Sequence, residues 1–266
     1  GSTHLGYLAT QVTAWWYYVA GYVSPTALVA DNLIYPQYTS FLDPDVLLAL
    51  AGWLVVGIAC RAWYGRYPEA LFVVLSGLAL ISPTSSFMPL TEMVNEHRPY
   101  LPIAVASLAL IIPLGHGLVS VARRGRPLAV AAGLSTLIIY VAAGMLTWER
   151  NTVFHTSERY WQDVLDKAPS YRAHLNYGLE MMRAGRMTEA RDHYEESLLG
   201  APYFHITHIN LGILSETEGA YDEARDHFDR AVQYDQYTGD SRRYRADFLI
   251  RRGEYALARP ELERSL

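Results

Sequence analysis

Apolar residues gather in five long runs within the first 147 residues, and then in short helical-period patterns to the end of the chain. The runs are Leu5–Val23, Val46–Trp63, Ala70–Met88, Tyr100–Val121 and Leu128–Thr147. A helix rising about 1.5 Å per residue needs roughly 20 residues to cross about 30 Å of hydrocarbon. The last four runs therefore predict membrane spans. The first holds QVTAWWYY, whose polar atoms and clustered aromatics suit either a span or the membrane interface. Beyond residue 147 no run is long enough to cross, and the helical pattern is amphipathic.

Charge divides the chain at the same place. Residues 1–147 contain six acids, six arginines and no lysine, whereas 21 acids and 16 bases fall in 148–266, so the whole net charge of −5 belongs to the second part. The expected fold is all-α: a bundle of four to five transmembrane helices followed by an α-solenoid. Residues 1–147 form the membrane domain, 148–170 a connecting and capping helix over Ser157–Lys167, and 171–266 the solenoid. Arginine-rich short loops stay cytoplasmic. The loops with Arg61 and Arg66 and with Arg123, Arg124 and Arg126 share one side. The loops 24–45 and 82–99, and everything after Thr147, then face the opposite, periplasmic or lumenal side. A bacterial inner membrane fits this arrangement best.

The second part repeats itself. EARDHY at Glu189–Tyr194 recurs as EARDHF at Glu223–Phe228, 34 residues on. The same shift relates Gly178 to Gly212, Gly185 to Gly219 to Gly253, and Ala190 to Ala224 to Ala258. This resembles the tetratricopeptide repeat, whose small residues let paired helices approach and whose aromatics fill the space between repeats. Three repeats are expected, at about 171–204, 205–238 and 239–266, the last incomplete and carrying Ala246 where glycine is expected. The resemblance implies a protein or polypeptide partner held by Asn176 and Asn210, one period apart on the inner groove. The period also relates His174 to His208 and His193 to His227. Equivalent positions in stacked repeats sit about 10 Å apart, so these are read as surface echoes, and no metal site is expected. No cofactor is called for.

Four stretches carry a second resemblance: DNLIYPQYTSFLDPDVLLAL, SPTSSFMPLTEMVNEHRPYLP, ARRGR and SERYWQDVLDKAPSYRAHLNYG. Their order is similar to the C-terminal half of the transmembrane and tetratricopeptide-repeat O-mannosyltransferases and their bacterial relatives, membrane glycosyltransferases of the GT-C type. The resemblance implies a sugar carried on a polyprenyl phosphate, with Glu96, His97, Arg98 and Tyr100 at the lipid phosphate and the donor. A guanidinium fork and an imidazole are suited to that anion. The family's catalytic acid belongs to an earlier outer loop without a counterpart in these residues. No catalytic residue is therefore assigned, and Asp31 and Asp43 are not given that role. The alternative reading is a non-catalytic membrane scaffold that recruits partners through its repeats.

Other classes fit poorly. The apolar runs lack the mid-depth ionisable groups of transport paths and rule out a soluble enzyme. An acidic second part without a basic stripe gives nucleic acid no purchase. The single cysteine, Cys60, precludes a disulfide framework.

Overall fold

The computed structural model describes residues 4–23, 28–65, 68, 71, 72, 75, 76, 79 and 114–265. Among the described residues every regular element is a helix. The chain divides into two compact units, Gly1–His155 and Thr156–Leu266.

In the first unit, α1 spans His4–Val23, α2 Pro44–Trp63 and α3 Arg126–Thr152, with a 3₁₀ turn at Val153–His155. Residues 114–122 are also helical. Asp43 starts α2 by accepting the Asp45 N–H at 3.1 Å, ahead of Pro44 in the first turn. α1 packs on α2 through indoles that supply both area and donors. Trp16 Nε1–H donates to the Ala49 carbonyl at 3.0 Å and Trp53 Nε1–H to that of Val12 at 3.2 Å. Gly52 permits this approach, since a Cβ there would lie 2.6 Å from the Trp16 ring.

The polar and aromatic residues of α1 turn inward. Thr10 Oγ1 accepts the Tyr38 N–H at 2.9 Å, Tyr35 donates to Thr13 Oγ1 at 3.2 Å, and the Tyr17 hydroxyl accepts the Val29 N–H at 2.9 Å. The cluster that suggested an interfacial helix thus ties down the loop 28–43. Of the five expected spans, two lie on helices long and apolar enough to cross a membrane, Pro44–Ala62 and Arg126–His155. Only 6% of the first window and none of the second is buried. α1 is not among them, and the run 70–88 and most of 100–121 lie outside the described residues. α3 continues five residues past the predicted end at Thr147, because WERNT contains neither proline nor glycine to stop it.

The second unit holds α4 (Ser157–Lys167), α5 (Tyr171–Arg183), α6 (Met187–Gly200), α7 (His205–Thr217), α8 (Tyr221–Tyr234), α9 (Asp240–Arg251) and α10 (Tyr255–Arg264). α5–α6, α7–α8 and α9–α10 are helical hairpins. Each first helix ends on a glycine in the left-handed region, Gly185, Gly219 and Gly253, at φ +77°, +82° and +77°. The residue after each glycine donates its N–H back to the helix: Arg186 to Met181 O, Ala220 to Ser215 O and Glu254 to Leu249 O, at 2.8–2.9 Å.

Two buried clusters hold the hairpins together. One surrounds Tyr194 with Leu175, Met181, Ala190, Leu211 and Leu214, and Trp161 and Leu165 of α4 close its open side. The other surrounds Phe228 with Ile209, Ala224, Ala246, Phe248 and Leu249. Each draws on neighbouring repeats, so no hairpin has a core of its own. Gly178 lies so near Tyr194 that a Cβ would meet its ring at 2.8 Å, and Gly212 stands in the same relation to Phe228 at 3.0 Å. In the third repeat Leu262 stands at the position of the aromatic ring and is 37% exposed, and Ala246, in the place of the glycine, is fully buried in the Phe228 cluster.

Arginines join successive second helices on the outside. Arg186 reaches Glu158 at 2.9 Å, Arg191 pairs with Glu218 and with Glu223 (2.6 Å), and Arg225 pairs with Glu254. Exposed pairs contribute about 0–1 kcal/mol each. Arg191→Ala, which removes two such pairs, is therefore expected to cost about 1 kcal/mol, read as a lower denaturant midpoint for the repeat unit.

Candidate polypeptide groove and histidine pairs

α5, α7 and α9, the first helices of the three hairpins, are neighbours in the stack. A bidentate ion pair from Arg251 on α9 to Glu216 on α7, at 2.7 and 2.8 Å, joins two of them. Asn176 and Asn210 occupy the same position on α5 and α7, and both are half-buried. Asn176 Nδ2 donates to the Arg172 carbonyl at 2.8 Å and Asn210 Nδ2 to that of Ile206 at 2.9 Å. These bonds to the preceding turn fix the amides. Each leaves Oδ1 accepting no hydrogen bond among the described residues, and so able to take an N–H from another backbone. Ile206, 40% exposed, offers apolar area beside Asn210. Glu96, His97, Arg98 and Tyr100 lie outside the described residues.

The histidines depart from expectation. Contacts form within each hairpin and not between equivalent positions: His174 meets His193, and His208 meets His227, with Nδ1···Nδ1 distances of 3.1 and 3.2 Å. His208 is 2% exposed and the other three are half-buried, so these are not surface echoes. The signal was the separation of 19 residues in both pairs. A hairpin folding back at Gly185 or Gly219 sets such positions opposite one another.

In both pairs the contact is a direct Nδ1···Nδ1 hydrogen bond. Ring centres lie 5.4 and 5.5 Å apart, larger than the nitrogen separations by about two ring radii, so the nitrogens point at each other. Among the described residues no three metal-ligating side chains come together. Burial lowers the proton affinity of all four rings, opposed at His174 by Glu196 and reinforced at His193 by His174. At His227, burial and then the nearby His208 bring the pKa to about 4.

The first unit carries an open cleft lined by Thr13, Trp16, Tyr38, Asp45, Leu48, Ala49 and Gly52. Its polar corner is the Tyr38 hydroxyl donating to Asp45 at 3.0 Å.

The sequence profile of the tetratricopeptide repeat family matches residues 149–203 and 209–266. No curated protein matches the chain.

Proposed function

From a C-terminal unit built of tetratricopeptide repeats, we propose that this chain is a membrane-anchored docking protein whose repeats hold an extended polypeptide. The observation that carries the reading is the exposure of α2 and α3. An apolar helix in the core of a soluble protein is mostly buried, whereas these bury almost none of their apolar windows. At about 1.5 Å per residue, 27 residues make α3 about 40 Å long, more than the hydrocarbon thickness. Arg123, Arg124 and Arg126 at its start favour the cytoplasmic side, which puts the repeats on the opposite one. On that side the Asn176 and Asn210 amides receive the polypeptide backbone.

The sequence resemblance extends the proposal. The held polypeptide is an acceptor for a sugar carried on a polyprenyl phosphate, whose phosphate is bound by His97 and Arg98, with Glu96 orienting Arg98 and Tyr100 at the interface or on the sugar.

The test uses the full chain in nanodiscs, with a photocrosslinker at residue 206. An Asn176→Ala/Asn210→Ala variant loses two neutral hydrogen bonds, each contributing about 0.5–1.5 kcal/mol, so affinity for the crosslinked polypeptide should fall about tenfold or more with folding intact. Unchanged crosslinking would remove the groove from the account. Sugar transfer from a polyprenyl-phosphate donor, lost in Arg98→Ala while polypeptide binding persists, supports a transferase. Binding without any transfer supports a scaffold.

A further inference from the structure

The two histidine pairs join the first and second helices of successive repeats, and each is one head-on Nδ1···Nδ1 contact. We infer that they are proton-operated latches: neutral or singly protonated they tie α5 to α6 and α7 to α8, and doubly protonated they drive those helices apart. The inference is independent of what the repeats bind.

Hydrogen-bond partners fix the direction in the second repeat. His208 Nε2 lies 3.1 Å from the Pro202 carbonyl oxygen, which only accepts, so His208 carries its hydrogen there. Its Nδ1 is then a lone pair, and His227 Nδ1–H is the donor. One additional proton is accommodated on His227 Nε2, 3.8 Å from Glu223 Oε1. The next proton can only go to His208 Nδ1, the acceptor of the latch itself. Two N–H groups and two positive charges then face each other across about 3 Å, and the contact becomes repulsive. The first repeat has the same Nδ1 geometry, with the edge of Tyr177 against His193 at 4.7 Å.

The surroundings differ, which sets an order of opening. The His174–His193 pair lies among the carboxylates of Glu189, Asp192 and Glu196 on α6. α4, packed on α5, brings Glu158 and Asp166 towards the adjacent Tyr177, which also feels Arg186, itself paired with Glu158 and Glu189. The His208–His227 pair has Glu223 and Arg230 on α8 and Arg191 from α6, with the Tyr234 ring 5.4 Å from His208. On α9, packed on α8, Arg245 is engaged by Asp229 and Glu261 and not by the pair. Carboxylates ease the second protonation of the first pair and the arginines resist that of the second. The first repeat therefore opens at the higher pH.

The lowered proton affinities agree in sign. Where the folded value lies below the ordinary one of about 6.5, the unfolded chain binds protons first as pH falls. The stability held above about pH 6.5 is then lost toward the folded value, about 4 for His227.

Hydrogen exchange of the full chain in nanodiscs, at pH 7 and pH 5 and corrected for intrinsic rates, tests this on peptides from 171–200 and 205–234. Local opening is expected to increase about tenfold or more on acidification, first in 171–200. A His193→Asn/His227→Asn variant keeps a polar atom in the place of each Nδ1 and cannot be protonated there; with only His174 and His208 left to gain a proton, its opening should rise far less over that range. An equal increase in the variant would overturn the latch. Should the variant not fold, the histidine ring resonances of the native chain decide. A second proton entering each pair below the ordinary range supports the latch, and four rings titrating independently near the ordinary value overturn it.

Discussion

Truncation of Phe228 to alanine is expected to remove about 3–5 kcal/mol from the repeat unit, the range for emptying a buried aromatic site. Whole domains are stable by about 5–15 kcal/mol, so this one change takes a large share. Phe228 is fully buried, its ring centre 5.2 Å from that of Phe248, and Ala224, Ala231 and Ala246 around it are too small to fill the vacated space. Gly212, held open for the ring, would face a void. Solenoid stability depends on intrinsic and nearest-neighbour terms, so the loss should concentrate on α7 to α10. Hydrogen exchange resolves this: peptides from 205–264 should lose protection far more than those from 157–183. Tyr194→Phe is the matched control. Its hydroxyl makes a weak contact with Met182 Sδ at 3.7 Å, so its removal should cost no more than about 0.5 kcal/mol. Equal and small losses in both variants would mean that the Phe228 cluster is not the joint between the second and third repeats.

The repeat unit was legible because its physics is local and periodic. A turn needing positive φ every 34 residues leaves Gly185, Gly219 and Gly253 in the text, and a ring needing a gap leaves Gly178 opposite Tyr194 and Gly212 opposite Phe228. The histidine pairs are not visible in that period. Comparison across one period couples His174 with His208, whereas the contact runs across the hairpin to His193. The orientation of α1 was legible only in part, since hydropathy treats an aromatic girdle at an interface and a packed aromatic face alike. What distinguishes them is the loop 28–43, whose backbone and tyrosines use Thr10, Thr13 and Tyr17 as partners. The length of α3 was underestimated because apolarity ends at Thr147, while helical continuity depends on the absence of a breaker in WERNT.

On the proposed anchoring, Ile139→Arg is expected to impair insertion of α3 by about 2.5–3.5 kcal/mol, the cost of an arginine at the centre of a spanning helix, or about a hundredfold in the insertion equilibrium. Ile139 is the middle residue of Arg126–Thr152. It and Ile138 are each 67% exposed although successive side chains on a helix point in different directions, and Leu134, Leu137 and Met145 are exposed as well. α3 therefore has no single apolar face to bury against a partner helix, as an amphipathic helix would. In water an arginine at such a site would change stability by no more than about 0.5 kcal/mol, so the two environments predict different outcomes. Protease protection of 156–266 in sealed vesicles should fall in Ile139→Arg and persist in Ile139→Leu. Leu199→Arg makes the same chemical change at a residue 77% exposed on the repeat unit and should leave protection unchanged. If Ile139→Arg behaved like Leu199→Arg, α3 would lie outside hydrocarbon, and the proposed anchoring, with the repeats opposite the arginine-rich loops, would fail with it.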